Sequence, residues 1–83
     1  PIPTAVDTVL YFYEEVGVLL SKKLIDIDLI EQLFGFNIML VGAKVMPIIE
    51  EGRKRLNVPR FWLNFEYLYN EMKKREQAGA KHG

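Results

Sequence analysis

The 83-residue chain contains no cysteine. Neither a disulfide nor a thiolate metal site can staple the fold, and the absence fits a reducing compartment. Serine occurs once, at Ser21, and histidine once, at His82. The first falls at a helix end and the second in the terminal tail, so no Ser–His or Cys–His pair can be built on ordered elements. The Glu-x-x-His motif that helical bundles use to bind metals is also missing. No alternating apolar run bounded by turn residues suggests a strand. No secretory signal pattern is present. The chain opens Pro1-Ile2-Pro3 rather than with methionine. The expectation is a trimmed start, with any membrane segment lying before Pro1.

What is present describes a small helical domain. The chain is 49% hydrophobic and 27% charged, a globular balance. So short a chain has little interior, and some apolar side chains must stay near the surface, which favours self-association. Residues 1–76 form the expected single domain. Residues 77–83, which contain two glycines and two alanines, have the composition of a flexible tail.

Periodicity predicts three longer helices and one short one, packed as an irregular all-α bundle. The first starts at Thr4, where Thr4-x-x-Asp7 approximates a capping box, and runs to Lys22 or Lys23. Val6, Val9, Leu10, Tyr13, Gly17 and Leu20 fall on one stripe; Phe12, Val16 and Leu19 adjoin it. A short second helix is capped by Asp26 or Asp28 and ends at Gly35. Asn37 then caps a third helix, apolar almost all round from Ile38 to Ile49 and sharply charged from Glu50 to Arg55. Such a helix must be buried in protein or lipid. The twelve residues from Ile38 to Ile49, with Lys44 among them, are fewer than the roughly 20 a bilayer requires. A core helix is expected. Gly42 marks a close helix contact, and Pro47 either kinks a single helix, the favoured reading, or breaks it and opens a new one at its first position. Pro59 opens the last helix, with Phe61, Phe65, Leu68 and Met72 as its core stripe.

Formal net charge is zero, but unevenly placed. Residues 1–35 carry six acids and two bases, a net of −4; residues 36–83 carry nine bases and five acids, a net of +4. The halves should attract, either by docking of helices within one chain or by pairing between chains. Arg53, Lys54, Arg55 and Arg60 cluster beside Phe61 and Trp62. As a nucleic-acid surface, the bases would meet phosphates and the rings would stack. The same bases also suit a helix C-terminus, and Glu50–Lys54 and Glu51–Arg55 have the favourable i, i+4 order. Neutral overall charge weighs against nucleic acid. Glu14, Glu15, Glu50 and Glu51 would form an all-oxygen metal site only if their helices met side by side; exposed acids are the plainer reading. Tyr67 and Tyr69, with apolar bodies and polar tips, suit a boundary or a partner contact.

Several motifs resemble those of an uncharacterised prokaryotic family described only as a domain of unknown function. They are Phe12-Tyr13-Glu14-Glu15-Val16-Gly17, Ile25-Asp26 leading to Leu33-Phe34-Gly35, Pro47-Ile48-Ile49 followed by Arg53, and Phe65-Glu66-Tyr67-Leu68. The resemblance runs from Phe12 to Leu68. It implies a helical domain that often follows an N-terminal membrane segment, and it brings no catalytic residues.

The functional expectation is non-enzymatic, with no cofactor and no metal. The chain reads as a protein-interaction or assembly module that pairs with itself, cytoplasmic or at the inner face of a membrane. The alternative is a helical nucleic-acid-binding module using Arg53, Lys54, Arg55 and Arg60. The candidate interaction surface is Arg53, Arg60, Trp62, Tyr67 and Tyr69.

Overall fold

Leu10, Tyr13 and Val16 recur at one turn's spacing, and their burial defines the inner face of the first helix, α1 (Thr4–Ser21). The computed structural model describes the backbone of residues 4–82 and the side chains of residues 7–79. The side chains of Thr4, Val6 and His82, assigned a cap, a stripe position and a tail, lie outside the described residues. α1 stops where Lys23 turns into the left-handed region at φ 60°. Lys23 N–H then donates to the Leu20 carbonyl (3.0 Å) and Leu24 N–H to that of Leu19 (2.9 Å). This paired closure satisfies carbonyls that the helix end leaves open.

The second helix, α2 (Ile27–Leu56), is a single 30-residue element. Asp26 is its N-cap, accepting from Asp28 N–H at 3.0 Å. The predicted break at Gly35 and the Asn37 cap do not occur, so the described residues form three helices rather than three long and one short. The reason is phase. Ile30, Phe34, Ile38, Gly42, Met46 and Ile49 form one inward stripe that crosses Gly35 without a shift. Breaking there would cost the burial on both sides, against about 1 kcal/mol for a glycine inside a helix. Asn37 instead accepts a hydrogen bond from the Tyr13 hydroxyl, tying α2 to α1. The helix also passes through Pro47. Pro47 lies on the exposed side, where water can satisfy the carbonyl it deprives of a donor. Asn57, left-handed at φ 56°, closes the helix, with its N–H bonded to the Arg53 carbonyl.

The third helix, α3 (Leu63–His82), begins four residues after Pro59, not at it. Two left-handed residues, Asn57 and Trp62, bound a tight connection in which Phe61 N–H reaches the Val58 carbonyl (3.1 Å) and Leu63 N–H that of Arg60 (3.2 Å). Helical geometry cannot propagate through either. α3 includes residues 77–82, which the composition sets apart as a tail.

α3 packs against both other helices. Phe65, Leu68 and Met72 fill the centre with Leu10, Ile30, Ile38 and Ile49. Two glycines set the approach. A Cβ on Gly17 would collide with the Asn64 carbonyl, and one on Gly42 with the Tyr69 ring. Gly42 is therefore the close contact that its sequence position predicts. At the far end, Arg75 of α3 pairs with Asp28 and with Glu31 (3.0 Å) of α2. The opposite charges of the two halves meet here inside one chain.

Candidate interaction surface

The connection between α2 and α3 gathers three of the predicted surface residues, and two of them point inward. Trp62 is buried, with Tyr11 edge-on at 4.8 Å and Phe61 tilted at 5.2 Å. Arg53 spreads its guanidinium across the joint: Nε donates to the Phe61 carbonyl (2.9 Å) and Nη1 pairs with Glu66 (3.0 Å). Arg53 Nη2 and Trp62 Nε1 are buried donors without a partner among the described residues. Arg60 alone of the three is exposed. Tyr69 is half-buried, stacked on Phe65 and covered by Gly42, with the Lys73 ammonium 4.9 Å above its ring. Tyr67 is exposed and borders an open depression with Asn70, Lys73 and Lys74. The five residues therefore do not form one surface. The nucleic-acid arrangement loses Trp62 of its stacking rings to the core and Arg53 of its bases to the joint, leaving Lys54, Arg55 and Arg60 outside.

Glu14 has a definite role. Its carboxylate accepts from Phe65 N–H (2.9 Å) and from Asn64 Nδ2 (2.7 Å). Trp62 occupies the N-cap position of α3, since its carbonyl accepts from Glu66 N–H (3.1 Å). Tryptophan has no oxygen with which to cap, so α1 supplies one, reaching the third residue of the helix as a capping side chain would. The negative charge also faces the positive end of the helix. Glu15, Glu50 and Glu51 are exposed. Among the described residues, no three acidic or histidine side chains group in a way that could hold a metal ion.

The feature that a predicted break in α2 concealed is the outer face of that helix. Leu29, Leu33, Phe36 and Leu40 are 46%, 62%, 82% and 45% exposed. They stand at i, i+4, i+7 and i+11. With 3.6 residues per turn, they and the exposed Ala43 and Pro47 lie within about 40° of one line along the helix, opposite the buried stripe. Lys44 is the only charged residue beside that line between Leu29 and Pro47, apart from Glu31, which turns toward Arg75. The spacing is present in the sequence, but a helix that ends at Gly35 and another capped by Asn37 divide it. The unbroken helix is also long and apolar enough to cross a membrane by length and composition, with a mean hydropathy of 1.5 over its most apolar window, a third of which is buried. Shortness therefore weighs against a span only for residues 38–49 taken alone. The inward stripe is nonetheless packed on α3.

The family comparison falls on this same scaffold. A family described as a domain of unknown function, DUF4760, matches residues 3–72. The chain belongs to the DUF4760 family. In this DUF4760 domain the match takes in α1, α2 and the first half of α3, ending at Met72, the last buried side chain among the described residues of α3. It contains the segment from Phe12 to Leu68 that carries the resemblance. No curated protein and no solved structure matches the chain.

Proposed function

We propose that this domain is a non-catalytic protein-interaction or assembly module whose working surface is the outer face of α2. One observation carries the reading: four large apolar side chains aligned along one face of α2, opposite its buried stripe, with Phe36 almost fully in water. At about 200 Å² for a large side chain, their combined exposure is on the order of 500 Å². That is near the upper end of what monomers leave uncovered, and such patches mark interaction sites. A protein partner suits the surroundings better than a lipid surface. Interfacial helices carry lysine and arginine along the flanks of their apolar face. Here the flanks are Gln32, Asn37 and Lys44, and the helix opens with Asp26 and Asp28.

A photoreactive phenylalanine analogue at position 36 tests this in cells that make the protein, with the same analogue at exposed Glu15 as control. The expected result is a protein adduct of defined mass from position 36 and none from position 15. Adducts with lipid alone, or none from position 36, would contradict the proposal.

A further inference from the structure

We infer that the occupant of this face is a second copy of the chain, packed antiparallel about a two-fold axis level with Ile38; the inference rests on the interaction reading above. Side-chain size changes along the stripe. Its N-terminal half is bulky, with Leu29, Leu33 and Phe36, and its C-terminal half is flatter, with Leu40, Ala43 and Pro47. A two-fold at Ile38 sets Leu29 opposite Pro47, Leu33 opposite Ala43 and Phe36 opposite Leu40. Leu29, Leu33 and Phe36 of the bulky half then each meet a smaller or flatter side chain, the fit a self-complementary interface uses. Parallel pairing would stack Phe36 on Phe36 and leave a gap between two alanines. Antiparallel alignment also opposes the two helix dipoles favourably.

The area fits a reversible dimer. Two copies would cover on the order of 1,000 Å², the lower bound for a specific interface. Gln32 and Asn37 flank the seam without introducing charge, and the uncharged stretch is longest around the proposed axis. The N-terminal acids, and the Arg75 that pairs with Asp28 and Glu31, lie away from it.

A chain without cysteine makes the test clean. Leu33→Cys and Ala43→Cys are placed in separate chains, one lengthened by a tag, and oxidised at micromolar concentration alone and mixed. About the Ile38 axis, either cysteine lies about 15 Å along the seam from its own copy, given 1.5 Å per residue. A disulfide needs Cα atoms within about 7 Å. The expected result is at least tenfold more linked product in the mixture than in either chain alone, together with a concentration-dependent shift toward dimer in sedimentation of the unmodified protein. Faster linkage of either single chain would overturn the antiparallel arrangement. A monomer at 100-fold higher concentration with no linkage would overturn self-pairing altogether. A heterologous adduct at position 36 in cells would then still uphold the interaction reading, so the two failures are distinguishable.

Discussion

Glu14 shows how one side chain completes a helix that its own segment cannot start. It replaces a cap that Trp62 lacks, and it does so from 51 residues away. Glu14→Ala should cost about 1–2 kcal/mol in urea unfolding, within the range for lost N-caps. Glu14→Gln should cost less, because the amide oxygen can still accept from Phe65 N–H. Tyr13 is the other residue whose environment makes a testable demand. Burial raises its phenol above the ordinary value. The folded state therefore prefers the protonated form more than the unfolded state does. Its contribution is complete below about pH 10, where the unfolded phenol begins to ionise, and is lost as pH rises through the folded-state value. Tyr13→Phe should lower stability at neutral pH by the loss of the Asn37 hydrogen bond. It should also flatten the alkaline limb of the stability profile, measured by denaturation between pH 8 and 11.

At the scale of elements, glycine position separates packing from propensity. Gly17→Ala would gain helix propensity of about 1 kcal/mol, but its Cβ meets the Asn64 backbone. The expected net effect is a loss of about 1–3 kcal/mol. Gly52→Ala meets only the Phe61 ring at 3.8 Å. It should raise stability by about 0.5–1 kcal/mol. Thermal melts of both variants check the pair.

Much of this level was legible beforehand. Leu10, Tyr13 and Gly17 of α1, Phe65, Leu68 and Met72 of α3, and the Gly42 contact follow from periodicity, although Val9, Phe12 and Leu19 of the α1 stripes are exposed; local chemistry narrows the α2 cap to Asp26 or Asp28 and favours one helix through Pro47 over a break. What misled was local chemistry without its tertiary context. Gly35 followed by Asn37 is a stop-and-start signal in isolation. It is overridden because Ile30, Phe34 and Ile38 are buried as one row. Pro59 is a good first residue for a helix, yet Asn57 and Trp62 hold the chain in left-handed turns on either side. Arg53 and Trp62 read as surface groups because nothing local reveals that one bridges Phe61 to Glu66 and the other lies under Tyr11. The outer stripe was present in the spacing of Leu29, Leu33, Phe36 and Leu40, but only an unbroken α2 puts those residues on one line.

At the scale of the molecule, opposite charge is used within the chain, through Arg75 with Asp28 and Glu31, while four large apolar side chains are left in one row on the outer face of α2. Side chains on that face contribute little to the fold. Leu33→Ser together with Phe36→Ser should change unfolding stability by no more than about 1 kcal/mol, as exposed substitutions do, while abolishing association. The most direct measurement again exploits the absence of native cysteine. Phe36→Cys and Glu15→Cys are each placed in the chain, and maleimide labelling is timed in the dilute purified protein and in the cells that make it. The thiol at position 36, relative to that at position 15, should label at least tenfold more slowly in cells than in dilute solution, because the outer face of α2 is covered there. An unchanged ratio of the two rates would mean that the face stays open to water, and would contradict its role as an interaction surface.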